Sequence, residues 1–232
     1  MTDTNTAVLE VRNLSKSFQS GTDEVVALND VSFSLQRGEV LVVTGPSGSG
    51  KSSLLHALSG LEPCDSGSVL VDGTDVATLK PTLAAAFRRR ELGFVFQFFN
   101  LIATLTAVEN VAMPLILDGV KAKEADERAA EMLNAVGLSD QRDRYGAQLS
   151  GGQMQRVAVA RALVGTPSLV LADEPTGSLD RATGVEINAL LHETATRYGA
   201  ALVIVTHDVA LALPGDHVFA MRDGQIEERG VA

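Results

Sequence analysis

The eight residues GPSGSGKS, at positions 45–52, restrict the possible folds of this chain more than any other stretch. They follow the apolar run VLVVT and precede SLLHALSGL, so the pattern G-x-x-x-x-G-K-[ST] stands between a strand and a helix. Glycines let such a loop wrap so that backbone N–H groups face phosphate oxygens, Lys51 adds a positive charge, and the Ser52 hydroxyl can ligate Mg²⁺. A glycine-rich turn that matches by chance is the alternative. The sequence predicts that nine consecutive residues contact the nucleotide: Gly45, Pro46, Ser47, Gly48, Ser49, Gly50, Lys51, Ser52 and Ser53.

Buried strands that end in polar residues predict further groups of the same site. In LVLADEP an apolar run ends at Asp173, and the carboxyl ends of strands are where α/β sheets bind ligands. If Asp173 ligates magnesium, Glu174 is placed to polarise an attacking water. His207 follows the apolar run ALVIVT in the same way and is a candidate for contacting the γ-phosphate. The alternatives are an acidic turn before Pro175 and a structural histidine.

The rest of the chain alternates between strands and helices. In VSFSL the spacing puts Val31, Phe33 and Leu35 on one face, which predicts a half-buried antiparallel strand. The runs VLVVT, SLVLAD and ALVIVT are apolar almost throughout, as strands of a parallel sheet covered on both faces should be. The pattern from about 98 to 165 is mostly helical, which predicts an inserted helical subdomain between two parts of a core, about 1–97 and 166–232.

Composition and charge exclude several classes of protein. The 232 residues are 45% hydrophobic and 21% charged, which is typical of one globular domain. The single Cys64 excludes an internal disulfide and favours a reducing cytosol. The N-terminal residues do not have the pattern of a secretory signal, and no apolar run is long enough to span a bilayer.

A formal net charge of −10 disfavours nucleic acid as a partner. The one basic cluster, Arg88–Arg90, is interpreted as a solvated helix end or a partner-facing surface.

A second segment also has the character of an anion-binding helix end. In LSGGQMQRVAVARAL, residues 149–163, a Ser-Gly-Gly-Gln run precedes apolar residues at helical spacing. Glycines are costly inside a helix but not at its start, where bare N–H groups attract anions. The chain therefore has two segments suited to phosphate, about a hundred residues apart.

Six motifs follow one another along nearly the whole chain: GPSGSGKS, FVFQ, LSGGQ, LVLADEP, GSLD and VTHD. In their order and spacing they resemble the nucleotide-binding domain of the ATP-binding cassette (ABC) family. The resemblance implies an α/β fold with a P-loop NTPase (RecA-like) core, an N-terminal antiparallel β-subdomain and an inserted helical subdomain. It also implies an ATPase that uses ATP and Mg²⁺.

The family resemblance accounts for the second anion-binding end. In ABC proteins the signature motif of one copy faces the phosphate loop of another, so two ATP molecules are enclosed in a homodimer. The resemblance thus implies that Ser150, Gly151 and Gly152 cap a γ-phosphate held by the partner subunit's Lys51. Hydrolysis removes that shared phosphate and lets the dimer open.

Other roles follow from the resemblance by position. Gln97 would sense the metal and the water, and Asp180 in GSLD would cross the dimer interface. Phe18 falls where the family places a ring, more often Tyr, that stacks on adenine; the alternative is a core aromatic on a strand. Gln153 belongs to the signature motif, and Ser53 replaces a commoner Thr with little expected effect. The expected metal ligands are Ser52, Gln97 and Asp173.

The segment after Gln97, QFFNLIATLTAVENVAMPLIL, is rich in Phe, Leu and Ile. Its exposed part could form a groove for a cytoplasmic helix of a membrane subunit. Its sequence and DEPTGSLD look most like the subfamily that serves lipoprotein release and macrolide efflux. That likeness implies a permease with four membrane helices and a large extracytoplasmic domain, with this chain peripheral on the cytoplasmic side of the inner membrane.

Two alternatives remain at this point: a soluble ABC-type ATPase without a transport role, and a nucleotide-binding regulator without turnover. The presence of both Glu174 and His207 disfavours the regulator. The transported or mobilised molecule, the direction of transport, the permease itself and the oligomeric state without ATP stay open.

Overall fold

The strand before GPSGSGKS lies in the middle of the larger of two β-sheets. The structure, a computed structural model, describes residues 7–21 and 23–232. Its strands are β1 (Leu9–Ser20), β2 (Asp23–Leu35), β3 (Val40–Thr44), β4 (Ser66–Val71), β5 (Thr74–Asp75), β6 (Leu92–Phe96), β7 (Leu169–Asp173), β8 (Ala201–Thr206), β9 (His217–Arg222) and β10 (Gln225–Val231). Its helices are α1 (Lys51–Leu58), α2 (Pro81–Glu91), α3 (Ala107–Leu117), α4 (Ala122–Ala135), α5 (Gly151–Leu163) and α6 (Arg181–Arg197).

The two sheets differ in strand direction. In the larger sheet the order is β10-β9-β3-β8-β7-β6, and all neighbours are parallel except β10 and β9. The smaller sheet has the order β2-β1-β4-β5 and is antiparallel throughout. The parallel strands β3, β7 and β8 therefore bring their carboxyl ends to one edge, where GPSGSGKS and LVLADEP both leave the sheet.

Alternate residues of the central strands face two separate hydrophobic cores. Val42 and Ile204 belong to the core that contains side chains of α3, α4, α5 and α6. Val43 and Val205 belong to the core beneath β1, β2, β4 and α1. All four side chains are fully buried, so the larger sheet is covered on both faces and the predicted parallel α/β arrangement is confirmed.

The antiparallel strand is also as predicted, since Val31 and Leu35 are buried, Phe33 is half-buried, and β2 pairs antiparallel with β1. Between β6 and β7 the chain forms α3, α4 and α5, which share one core with the sheet. Arg88–Arg90 lie in the last turn of α2. No described helix combines the length and the apolar character that a membrane crossing needs.

Candidate nucleotide site

The backbone of two strands, β2 and β9, packs closely against the loop of residues 45–50. A Cβ at Gly45 would lie 2.3 Å from the backbone oxygen of Met221, and one at Gly50 would lie 2.2 Å from that of Ala27. Gly50 also has a φ of +106°, which L side chains rarely adopt. Only glycine fits these two positions, because β2 and the end of β9 press directly against the loop.

Lys51 begins α1 and folds back over this loop. Its Nζ donates to the backbone oxygens of Gly45 at 2.8 Å and of Pro46 at 2.9 Å. The ammonium group is thus already inside the curve of the loop, where a phosphate group would meet it. The surroundings are accessible: Pro46, Ser47, Gly48 and Ser52 are exposed, Gly45, Gly50 and Ser53 are half-buried, and Ser49 is buried.

The carboxyl ends of β7 and β8 place two acidic groups beside this loop. Asp173 is the last residue of β7, and Thr206, the last of β8, pairs with Thr44, the last of β3 before the loop. Burial, and then the charge of Glu174, raise the pKa of Asp173, while His56 and Lys51 act in the opposite direction. Lys51 is therefore close enough to Asp173 for their charges to interact.

Glu174 is held by the strand next to it. Its backbone N–H donates to the oxygen of Val205 at 2.9 Å, and its Oε2 accepts from the Thr206 hydroxyl at 2.9 Å. Its Oε1 lies 2.9 Å from Nδ1 of His207. The glutamate side chain is 20% exposed and the histidine side chain 70%, so the pair lies at the surface of the site. The structure thus brings together two residues that the sequence predicts as catalytic.

Gln97 follows β6, whose last residue Phe96 pairs with Asp173. The Ser178 hydroxyl donates to the backbone oxygen of Gln97 at 2.5 Å, and a Cβ at Gly177 would lie 3.0 Å from Gln97 Nε2. Gln97 therefore rests against the turn that follows Glu174. The third residue predicted as catalytic thus adjoins the same edge of the sheet.

The signature segment forms the start of a helix, as predicted, and the structure shows in addition that this start is capped. Ser150 is the N-cap of α5, and its hydroxyl accepts from the N–H of Gln153 at 3.3 Å. The Gln153 side-chain oxygen in turn accepts from the N–H of Ser150 at 2.9 Å, which completes a capping box. The Gln153 amide oxygen is thus used within the helix start, and Gly151 and Gly152 are the first two residues of the helix.

Asp180 caps α6 in a similar manner. Its carboxylate accepts from the N–H groups of Ala182 and Thr183 and from the Thr183 hydroxyl at 2.7 Å. These hydrogen bonds, above all those from Thr183, hold the pKa of Asp180 below its usual range. A Cβ at Gly152 would lie 2.7 Å from Thr183 Cγ2, so the starts of α5 and α6 are adjacent.

The two segments that the sequence predicts to bind phosphate share no polar contact within the described part of the chain. Among residues 7–21 and 23–232, no hydrogen bond or ion pair links the loop at 45–53 with residues 150–153.

Phe18, the predicted adenine contact, lies on β1 with 36% of its surface exposed and with Lys16 Nζ 5.1 Å from its ring centroid. It is on a strand but is not a core aromatic.

Sequence reasoning missed Gln155, whose side chain links the segment before Gln97 to the segment after Glu174. Its side chain is fully buried, and its Nε2 donates to the backbone oxygens of Phe96 at 3.3 Å and Pro175 at 2.5 Å. A signal was present, because Gln155 occupies the apolar stripe of α5 that continues through Val159 and Leu163. A polar side chain in such a stripe indicates buried hydrogen bonds.

A parallel sheet, a glycine loop with its lysine, and an acidic strand end define an α/β P-loop ATPase. A family model described as ABC transporter matches residues 28–177, and the chain belongs to this family as its ATP-hydrolysing, transport-coupled subunit. The sequence-based assignment of family and fold is therefore confirmed.

Known relatives cover almost the whole chain. The lipoprotein-releasing system ATP-binding protein LolD of Pseudoalteromonas translucida (strain TAC 125) is 46% identical over 222 residues, which are 96% of each chain. Two solved structures of the cassette MJ0796 cover 96% of this chain and 99% of their own, each with a TM-score of 0.84. One is described as a dimeric post-hydrolysis state bound to ADP and Pi, at 38% identity, and the other as the dimer of a bacterial ABC transporter cassette, at 39%.

Proposed function

We propose that two copies of this chain enclose two ATP molecules and that closing of this dimer drives a membrane permease of the lipoprotein-releasing type. The observation that carries the proposal is the separation, in one chain, of the loop at 45–53 from the signature end at 150–153. Each segment would bind phosphate, and no hydrogen bond or ion pair joins the two within the described residues of one chain. The similarity to dimeric cassettes, one with ADP and Pi, supports a site completed by the second copy.

At each composite site the loop of one copy and Ser150, Gly151 and Gly152 of the other would bind the same triphosphate. Helix N-termini favour negative charge, and the γ-phosphate is the group that ATP has and ADP lacks. The dimer would therefore form with ATP and open after hydrolysis. Asp180, at the start of the adjacent α6, would lie at the same interface.

The donor set near Lys51 fits Mg²⁺, which prefers oxygen ligands and is usually held by one or two carboxylates together with substrate phosphates. The Asp173 carboxylate has a raised pKa because of burial and of Glu174, so a bound cation there would relieve both effects. Ser52 and Gln97 would supply the remaining protein oxygens. When bound, the metal neutralises charge on the phosphates that are being separated.

Each residue near the bound ATP would have a distinct role in hydrolysis or binding. Glu174 would orient and polarise the attacking water, and its bonds to Thr206 and His207 hold its carboxylate at the strand edge. His207, with its largely exposed ring, would reach the γ-phosphate. Phe18 would stack on the adenine ring from the exposed side of β1, which needs only an aromatic face. Gln153 would act by shaping the start of α5.

The permease would dock in a groove of about 530 Å³ between α2, β6, α3 and α5. Leu61, Ile102 and Leu117 line this groove and are 54%, 44% and 61% exposed, although they are large apolar side chains. An amphipathic helix binds such a groove through its apolar anchors. The groove lies at the junction of the proposed helical subdomain, about 98–165, with the core that contains Gln97. Docking there would connect the permease to the ATP site.

The similarity to a lipoprotein-releasing ATP-binding protein supports a role with a permease at the cytoplasmic face of the inner membrane. We propose that this permease has four membrane helices and a large extracytoplasmic domain. The test is to isolate tagged Glu174→Gln protein with ATP from detergent-solubilised membranes and to identify the bound proteins by mass spectrometry. Such a permease would support the proposal. A permease with more helices and no outer domain would indicate another transporter class, and no membrane protein would indicate a soluble ATPase.

A groove variant makes this test specific. In the same experiment Leu117→Glu should release the permease, because a carboxylate would lie among the apolar anchors. Val231→Glu is the control, since Val231 is equally apolar and 64% exposed but lies on β10, away from the groove. Equal recovery with both variants would contradict docking at this groove.

A further inference from the structure

Helix α5 reaches two places that the proposed mechanism treats separately. Its first residues are the signature end, which would bind the ATP held by the other copy. One turn further along, Gln155 reaches the catalytic edge of its own chain. The same rigid element thus touches both ATP sites of the proposed dimer.

The contacts of Gln155 are directly adjacent to catalytic residues. Its Nε2 donates to the backbone oxygen of Phe96, the residue before Gln97, at 3.3 Å. It also donates to that of Pro175, the residue after Glu174, at 2.5 Å. Both N–H groups of one amide therefore hold two chain segments that leave neighbouring strands. Because the side chain is fully buried, solvent does not compete for these hydrogen bonds.

A second residue of α5 holds the segment that contains Gln97. Arg161 donates to the backbone oxygens of Phe99 at 2.8 Å and Asn100 at 2.6 Å. These two consecutive residues have φ values of +61° and +49°, a left-handed conformation that asparagine tolerates but that is unfavourable for a bulky residue such as Phe99. Residues 96–100, including Gln97, are therefore attached to α5 at both ends, and a displacement of the helix moves them with it.

Packing alone does not explain an amide at position 155. Gln155 Oε1 is buried and has no hydrogen-bond partner among the described residues, which is unfavourable for any polar atom. A leucine or methionine would fill the apolar stripe without that cost. What the amide adds is its pair of donors toward Phe96 and Pro175.

We infer that Gln155 is a positioning residue that couples the signature end of α5 to Glu174 and Gln97 of the same chain. When the ATP bound by the other copy draws in the start of α5, Gln155 brings the turn after Glu174 and the segment of Gln97 into the geometry for hydrolysis. Each site would thus be activated by closure at the opposite site. This inference rests on the proposed function, since it requires the ATP dimer.

The test compares Gln155→Met, which keeps the volume and removes the donors, with the control Thr194→Val. Thr194 is equally buried, and its hydroxyl bonds only within α6. Phosphate release is measured at saturating ATP and at protein concentrations where the dimer is fully formed. We expect kcat to fall about tenfold or more in Gln155→Met, with KM for ATP within about twofold of wild type. Thr194→Val should keep the wild-type kcat.

A second measurement separates positioning from folding. In a Glu174→Gln background, Gln155→Met should still form the ATP dimer by light scattering, because it alters the catalytic geometry and not ATP binding. Gln155→Glu, which keeps the shape but loses the amide donors, should reproduce the loss of kcat.

Two results would contradict the role of Gln155 and leave the proposed function intact. One is wild-type turnover in folded Gln155→Met, and the other is loss of both dimer formation and kcat in that variant. Failure of the wild-type chain to dimerise or to hydrolyse ATP would overturn the proposed function, and this inference with it.

Discussion

Oε1 of Glu174 lies 2.9 Å from Nδ1 of His207, and these residues follow two adjacent parallel strands. The second oxygen of Glu174 accepts from Thr206, and its backbone N–H donates to Val205. Glu174 has a φ of +45°, which costs a non-glycine residue about 1–2 kcal/mol. The three bonds from the end of β8 therefore hold the proposed catalytic carboxylate in a conformation that it would rarely adopt alone.

Glu174→Gln should abolish turnover and preserve ATP binding. The amide has the shape of the carboxylate but cannot take a proton from water, so hydrolysis should fall by about 100-fold or more. With ATP and Mg²⁺ the variant should accumulate as a dimer in light scattering, and with ADP it should stay monomeric. A variant that remains monomeric with ATP would argue against the composite site.

His207→Ala should reduce kcat more than Thr206→Val does. The histidine both holds Glu174 and is proposed to contact the γ-phosphate, whereas the threonine holds Glu174 and accepts a hydrogen bond from the N–H of Asp208, away from the phosphate. Loss of one hydrogen bond to a charged group corresponds to about tenfold, so we expect about tenfold for Thr206→Val and about 100-fold for His207→Ala. Phosphate release at saturating ATP measures both. Equal effects would mean that His207 acts only through Glu174.

Phe18→Ala should weaken ATP binding by about tenfold, since stacking of a base on an aromatic ring contributes about 1–3 kcal/mol. Phe18→Tyr should bind ATP as the wild type does. Calorimetric titration in a Glu174→Gln background measures affinity without turnover. Tyr145→Ala, which removes an aromatic ring that is 47% exposed elsewhere, is the control. If Phe18→Ala bound ATP with unchanged affinity, Phe18 would not belong to the site.

The sequence was sufficient for those parts of the site in which a residue type and its neighbours in sequence define the geometry. GPSGSGKS between an apolar strand and a helix specifies its own loop, and the Ser-Gly-Gly-Gln run before apolar residues at helical spacing specifies a helix start. Asp173 and Glu174 could be placed at a strand end because LVLAD is apolar until that point, and the edge they share with His207 follows from parallel pairing.

Contacts between distant segments were not predictable in the same way. The bonds of Gln155 to Phe96 and Pro175 depend on how closely α5 packs on β6, and a single sequence has no local pattern for this. The left-handed conformation of Phe99 and Asn100 depends on Arg161, which lies far away in sequence. Such features arise from tertiary packing that overrides local preference, and only the polar residue in an apolar stripe gave a sign of them.

Asp173→Asn should stabilise the protein without nucleotide at neutral pH and not at acidic pH. Burial and Glu174 raise the pKa of Asp173 in the folded state, so the folded chain binds its proton more tightly than the unfolded chain does. The free energy of unfolding therefore falls as pH rises from the ordinary Asp value through the raised one. Asparagine carries no charge, so the free energy of unfolding of the variant does not fall with pH for this reason.

Thermal unfolding at about pH 4 and pH 8 measures this effect, with Asp208→Asn, near the surface of the same edge, as the control for removing one charge. The difference in Tm between Asp173→Asn and wild type should be small at the lower pH and larger at the higher one. A difference that is the same at both pH values would contradict an unfavourable charge at Asp173. Activity should be lost in this variant, because the proposed Mg²⁺ ligand is removed.

His192 and Asp216 form a buried pair that ties α6 to the loop before β9. Nε2 of His192 lies 3.0 Å from Oδ2 of Asp216, and its Nδ1 lies 2.8 Å from the backbone oxygen of Asn188. The same Oδ2 accepts from the N–H of Leu213 at 2.7 Å, and the backbone of Asp216 accepts from Ala232 at 2.9 Å. The two side chains are only 9% and 7% exposed.

His192→Leu should lower the free energy of unfolding by about 3 kcal/mol, because it leaves the Asp216 carboxylate buried without its ring partner. Asp216→Leu should lower the free energy of unfolding by a similar amount, since it leaves the buried His192 ring without its carboxylate partner. The double variant His192→Leu/Asp216→Leu should be far less destabilised than the sum of the two, because apolar side chains can replace a buried polar pair at little cost. Urea unfolding of the four proteins measures the cycle. Additive losses would mean that the two residues stabilise the fold independently, through Asn188 and Leu213, and that the contact between them contributes nothing of its own.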